Sequence, residues 1–211
     1  MTEEEKIFAG KMFNARHPDL LAVKHKTHEA CRLYNSKDEY DPARKGIIKE
    51  ILGSIGEHYH FQGPLQFNYG KHTFMGDNVF ANFNFTVLDD ARVYVGDRVC
   101  FGPNVSLMAT NHPLIAGERM WLNGDSKISM AEYGEEIHIG NDVWIAAGVV
   151  VIGGVHIGDG AVIGAGSVVT KDIPAGYVAF GNPCRPVRRI SESDSKKALV
   201  LPKDAVYYGL R

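Results

Sequence analysis

The sequence is short of nearly everything that would place it quickly. Its three cysteines, Cys31, Cys100 and Cys184, are widely spaced and odd in number, which excludes a disulfide framework and leaves no CxxC knuckle for a metal. Buried or inert thiols in a reducing compartment are the expectation. No run approaches the ~18 apolar residues of a membrane span, and the opening Met1-Thr2-Glu3-Glu4-Glu5 has neither the basic nor the apolar region of a secretory leader. Net charge is small: 23 Lys plus Arg against 25 Asp plus Glu leave −2, no general reason to bind nucleic acid or anionic lipid. What is present is 211 residues, 45% apolar and 23% charged, enough to bury one sizeable core. These features predict a cytoplasmic protein with no nucleic-acid or membrane partner.

The chain divides by composition. Thr2 and Glu5 have capping-box spacing, and Ile7, Phe8, Met12 and Phe13 predict a short amphipathic helix through about residue 14. Leu20, Leu21, Cys31, Leu33 and Tyr34 lie in a helix-compatible segment ending near Asn35-Ser36. Asp41-Pro42 offers an N-cap and first-turn proline to a third helix carrying Ile47, Ile48, Ile51, Leu52 and Ile55 and closing at Gly56. Residues 1–60 therefore read as a helical arm or cap, 61–190 as the main domain and 191–211 as a tail whose Ala198-Leu199-Val200-Leu201 can pack on a neighbour.

The main domain carries a register. Ile139, Ile145, Val151, Ile157, Ile163 and Val169 recur every six residues, and Val143, Val149, Val155, Ala161, Ser167 and Ile173 form a second series at the same spacing. A period of six is neither helical nor simple strand alternation; each hexapeptide is one side of a coil, which makes the chain mainly β, a parallel β-helix. Glycine or alanine at 140, 146, 158 and 164 is read as the corner residue of each side. The spacing appears earlier as Val95, Phe101 and Leu107, and more loosely around Met75, Ala81 and Val87. It fails between Met108 and Glu136, so residues 108–136 form a long loop ejected from the stack, and loops of that length in compact domains tend to carry function. Two placements follow by counting. Trp144, between inward Val143 and Ile145, points outward; His138 and His156, three hexapeptides apart, stack on adjacent coils about 4.8 Å apart.

Several segments resemble the maltose and galactoside O-acetyltransferases of the hexapeptide-repeat superfamily: Ala9-Gly10-Lys11-Met12-Phe13, Ala81-Asn82-Phe83-Asn84, Leu88-Asp89-Asp90, His112-Pro113, Ile139 to Ile145, Gly164 to Asp172, and Gly181-Asn182-Pro183-Cys184-Arg185. The resemblance spans about residues 5–190. It implies a left-handed β-helix, an exception to right-handed crossovers, and a homotrimer with acetyl-CoA, used as cosubstrate without a metal, bound between subunits.

The candidate site residues rest partly on chemistry and mainly on that resemblance. His112 stands where the register is lost; an imidazole, with an ordinary pKa near about 6.5, can take a hydroxyl proton, although from position alone a solvent-facing loop histidine is the better reading. The resemblance makes His112 the general base of direct transfer with no acyl-enzyme. It makes Asn82, Asp90 and Asn68 acceptor-binding, where their other reading is turn chemistry. It makes Trp144 a contact for the pantetheine arm, places a backbone N–H near the thioester oxygen at Ala147, lines the coenzyme site with Ala165, Thr170 and Lys171, and sets Arg185 and Arg188 near its phosphates.

Two departures fall where the acceptor sits. Asn14-Ala15-Arg16-His17 replaces a segment that carries an acceptor-binding aspartate, and the 114–136 loop is longer than usual. The leading hypothesis is an acetyl-CoA-dependent O-acetyltransferase acting on a hydroxyl of a sugar or similar small acceptor. An antibiotic or amine acceptor is the second hypothesis and a non-catalytic trimeric scaffold the third, the last disfavoured by the joint presence of His112, Asn82 and Trp144. A β-helical carbonic anhydrase would need a third histidine beside His138 and His156, and no residue has the matching spacing.

Overall fold

The computed structural model describes residues 1–124 and 126–196. The proposed contact of Ala198 to Leu201 lies outside the described residues. The N-terminal cap consists of α1 (Glu3–Phe8), a short strand β1 (Phe13–Asn14), α2 (Pro18–Asn35) and α3 (Ala43–Ile51). The Thr2–Glu5 capping box forms as read. Helix α1 stops well before residue 14 because Gly10 turns the backbone left-handed (φ 62°), and Phe13 then enters a strand. Helix α3 also ends before Gly56: Leu52 is extended, Gly53 N–H donates to Thr73 O, and Ser54 already bridges Phe74 as the first rung of the coil. Pro42 takes the cap position, and Asp41 Oδ1 accepts from Ala43 N–H.

The solenoid follows, each coil contributing one strand to each of three faces. Its first coil holds β2 (Tyr59–Phe61) and β3 (Leu65–Phe67). The second holds β4 (Thr73–Met75), β5 (Val79–Ala81) and β6 (Phe85–Leu88), and the third β7 (Val93–Val95), β8 (Cys100–Phe101) and β9 (Ser106–Met108). The chain then leaves the stack through β10 (Thr110–Asn111), α4 (Ala116–Arg119), β11 (Met120–Leu122) and β12 (Ile128–Gly134). It returns as β13 (Ile137–Ile139), β14 (Trp144–Ile145), β15 (Val150–Ile152), then β16 (His156–Ile157), β17 (Val162–Ile163) and β18 (Val168–Val169). The antiparallel hairpin β19 (Tyr177–Gly181) and β20 (Cys184–Arg189) closes the top. The first face stacks β4, β7, β13 and β16; the second β2, β5, β8, β14, β17 and β19; the third β3, β6, β9, β15 and β18.

Both hexapeptide series point inward as counted: all twelve residues from Ile139 to Ile173 are buried. The corner residues are not the ones expected. Left-handed φ falls instead at Asp142, Gly148, Gly154, Gly160 and Gly166, again six apart, and Asp and Asn tolerate that region best among non-glycines. Positions 140 and 158 need glycine for proximity. A Cβ on Gly140 would sit 2.3 Å from Asp159 Oδ1 and one on Gly158 2.5 Å from Ala175 N.

One core runs up the axis. At the base Phe61, Phe67, Phe85 and Phe101 pack ring to ring, and Cys31, Tyr34, Ile47, Ile48, Ile51 and Leu52 of α2 and α3 join the same cluster, plugging the open end of the coil. The excursion is an organised antiparallel sheet in which β12 pairs with β10, β11 and the arm strand β1, tying the cap to the departure point. No helix among the described residues is long and apolar enough to cross a membrane.

Candidate active site

The coils are not of equal length. Register partners in the lower coils, such as Thr73 and Val93 or Phe80 and Cys100, are 20 residues apart, whereas Ile139 and Ile157 or Val151 and Val169 are 18 apart. The two extra residues sit between the third and first faces, after β3 and β6, and the whole excursion leaves from the same corner after β9. Asn68, Asp90 and His112 all belong to these insertions, so three residues distant in sequence share one edge of the prism.

Asp90 is 1% exposed, and its carboxylate accepts from Asn68 Nδ2 (3.1 and 2.9 Å) and from the Thr110 hydroxyl. Lys24 Nζ, reaching from α2 over the Tyr69 ring, lies 4.0 Å from Asp90 Oδ1. Asp89 takes the turn-building role: fully buried, it accepts from Tyr69 N–H (2.7 Å) and the Thr73 hydroxyl (3.1 Å), and burial pushes its carboxyl up. The adjacent aspartates thus divide their work.

His112 is fixed by its backbone partner. Nδ1 lies 3.0 Å from Ala131 O, and a carbonyl only accepts, so in the neutral ring Nδ1 carries the proton and Nε2 keeps its lone pair. That Nε2 faces Glu132 Oε1 at 3.9 Å. Glu132 is 7% exposed, and desolvation and then the Asp90 charge push its carboxyl up to about 7. Glu132 Oε2 and the Tyr69 hydroxyl are buried without hydrogen-bond partners among the described residues. Two orphaned polar atoms beside an aspartate and an unprotonated imidazole nitrogen are what a site awaiting a hydroxylated molecule presents.

The sequence reading missed Lys24, Thr110 and Glu132. Thr110 lies two residues before His112, where the register is lost. Lys24 and Glu132 carry no local signal, because one sits on a polar helix and the other in a strand whose partners are remote.

A second group gathers at the corner between the second and third faces. Asn82, Ala147 and Ala165 stand there, and with Phe80, Cys100 and Trp144 they line an open groove of about 660 Å³. Trp144 is 53% exposed, outward as the alternation requires. Asn82 also serves its turn, Oδ1 accepting from Phe83 N–H at 2.7 Å. Cys31 and Cys184 are buried, whereas Cys100 is exposed on the groove wall.

The remaining candidates divide. Thr170 and Lys171 follow β18 and so belong to the His112 corner, two coils higher. Arg185 and Arg188 lie on β20, beside the upper end of the groove through β19 and β17. Arg188 makes a bidentate pair with Asp194 (2.7 and 2.7 Å), while Arg185 Nη1 donates to Cys184 O. Within one chain the His112 group and the Trp144 group do not meet; the width of the third face, roughly 15 Å for a side of about five residues, separates them.

The model of the bacterial transferase hexapeptide (six repeats) matches residues 136–171, and that of the maltose acetyltransferase hexapeptide capping motif matches 6–56. The chain is 41% identical over 198 residues to the galactoside O-acetyltransferase of Escherichia coli, covering 92% of each. A galactoside acetyltransferase solved in complex with coenzyme A superposes with a TM-score of 0.84 at 37% identity, covering 99% of this chain and 100% of that one. A hexapeptide-repeat acetyltransferase of Vibrio cholerae, solved with acetyl coenzyme A, gives 0.79 at 30% identity over 91% of this chain and 100% of that one.

Proposed function

We propose the following reaction for a chain that belongs to the maltose and galactoside acetyltransferase family of hexapeptide-repeat proteins, and that is on that ground an acetyl-CoA-dependent acyltransferase: direct transfer of the acetyl group to a hydroxyl of a sugar or similar small acceptor. The observation that carries it is the His112 arrangement, an imidazole anchored through Nδ1 on Ala131 O with Nε2 turned toward Glu132. Asp90 and Asn68 hold the acceptor; Nε2 takes the proton of its hydroxyl as that oxygen attacks the thioester carbonyl carbon. The carbon–sulfur bond then breaks, and the imidazolium returns its proton to the departing CoA sulfur. No side chain forms a covalent intermediate. In this reading the Ala147 backbone N–H serves the oxyanion, Trp144 the pantetheine arm, and Asn82 the acceptor from the Trp144 corner.

Because the two residue groups occupy different corners of one prism, the site is completed by a second copy. One copy contributes the Trp144 corner and the next the His112 corner, a head-to-tail contact that closes as a ring of three. The third face then looks toward the ring axis, and its outward row, Gln66, Thr86, Ser106, Val150 and Val168, is narrow enough for such packing. Three free cysteines suit a cytoplasmic setting.

The arm does not replace the missing aspartate. Ala15 is buried, and Asn14 spends its amide on Ser129 Oγ (3.1 Å) and Met130 N–H (3.3 Å). The acceptor therefore meets the carboxylates of the third-to-first corner alone. A CoA-release screen over galactosides, maltose, amines and hydroxylated antibiotics tests the reading: release with a sugar acceptor is expected, release with amines alone overturns it.

A further inference from the structure

The outward row of the second face runs His60, Phe80, Cys100, Trp144, Val162, Val178 through successive paired strands. Neighbouring strands are about 4.8 Å apart, so the Phe80 and Trp144 side chains stand about 10 Å apart with only a thiol between them. This is a notch in the groove wall, floored by Cys100 and backed by apolar surface. Burial pushes the Cys100 thiol above its ordinary value, so the floor is a neutral, weakly polar sulfur.

The level of the notch along the coil axis gives it meaning. Rotation about an axis parallel to the coil changes no residue's height. His112 leaves the stack at the end of the third coil, and Cys100 lies on β8 of that coil, so the imidazole of one copy faces the Cys100 level of the next. The cationic β20 strand lies at the opposite, upper end of the groove. A coenzyme with its phosphates there runs downward past Val162 and Trp144 and brings its thioester to Cys100. The acceptor's place is on the other copy's corner, below His112, where Asn68 and Asp90 follow the first and second coils. The notch is therefore left to the acyl chain.

We propose that the notch between Phe80 and Trp144 is an acyl-chain subsite, making this enzyme competent for donors longer than acetyl, with butyryl-CoA as the fitting class and Cys100 as the residue that sets the length. The proposal rests on the coenzyme lying in the Trp144 groove. Binding of CoA, acetyl-CoA and butyryl-CoA to the full chain, measured calorimetrically without acceptor, tests both. Wild type is expected to bind butyryl-CoA up to roughly tenfold tighter than acetyl-CoA, the worth of two further buried methylenes. In Cys100→Leu that difference should fall below about twofold, and in Cys100→Ala, which deepens the notch without filling it, it should persist. Equal or weaker butyryl-CoA binding by wild type, an undiminished ratio in Cys100→Leu, or a lost ratio in a folded Cys100→Ala overturns the subsite. Trp144→Ala separates the two claims: weakened binding of CoA itself supports the groove, while unchanged CoA affinity removes the groove assignment and the subsite with it.

Discussion

The upper coils, Ile137 to Ile173, and the excursion, Met108 to Glu136, are consecutive in sequence and opposite in logic. The upper coils repeat one another: small and aliphatic residues inward, parallel ladders on three faces, and a left-handed residue every six positions from Asp142 to Gly166. The excursion repeats nothing. It pairs antiparallel with itself and with the arm, and it buries Glu132 Oε2 without a partner among the described residues. Redundancy makes a stack that tolerates functional burdens at its corners, and the irregular insert brings one buried, unpartnered carboxylate oxygen to the His112 corner. Substitutions in the two regions should therefore fail differently, the stack through stability and the excursion through turnover.

The largest expected effect is His112→Ala, a loss of about 10²- to 10⁴-fold in kcat, the usual worth of a positioned general base. Acetyl-CoA affinity and melting temperature should stay near wild type. A drop in melting temperature matching the activity loss would break the contrast, since His112 would then be structural. Next is Ile163→Ala, in the fully buried stack. It should cost about 2–5 kcal/mol in chemical denaturation and leave kcat of the folded fraction within about twofold.

The stack was legible because its period is local. Each inward residue is announced six positions from the next, so the register, the outward Trp144 and the His138–His156 pair could be counted. The lower coils blurred because two extra residues at one corner shift the offset from 18 to 20 without altering the apolar triplets on each side. That blur marks the candidate site, since Asn68 and Asp90 sit in those insertions. His112 was legible as the residue at the break, with the family motif naming its role. Glu132 and Lys24 were not, because their meaning arises only when β12 folds back beside β10 and α2 packs over Tyr69, contacts that join residues more than twenty positions apart in sequence. The glycines at 140 and 158 were noticed for a wrong reason, since sequence spacing does not distinguish a left-handed φ from a close approach by the next coil.

Glu132→Gln sharpens the contrast within the excursion. If His112 is the base, an ionised Glu132 supports its imidazolium, and the variant should lose about tenfold in kcat. The pH dependence of stability separates that positioning role from simple packing. Folding raises this carboxyl from 4.5 to about 7. Its contribution is thus fully present below about 4.5 and is lost as pH rises through about 7. Glutamine stays neutral, so the melting temperature of Glu132→Gln should gain on wild type between pH 5 and pH 8 by a few degrees. An identical pH profile in both proteins would show that Glu132 is not buried as a neutral acid.

The smallest effect belongs to the ladder on the first face. His138 and His156 stack with ring centroids 4.5 Å apart and planes within 4°, close to the spacing counted from sequence, and Tyr94 and Phe74 continue the column below. His138 Nε2 also meets Glu136 Oε2 at 3.0 Å, at the point where the excursion rejoins the stack. If the ladder behaves as part of the stack, His138→Ala should cost less than about 1 kcal/mol, the usual range for a cross-strand pair, with no change in kcat. If it instead anchors the returning end of the excursion, the same variant should lower kcat more than stability, because β12 carries both Glu132 and the Ala131 carbonyl that orients His112. Measuring denaturation midpoint and kcat on one preparation decides which region owns His138, and the three coil strands beneath and above it favour the stack.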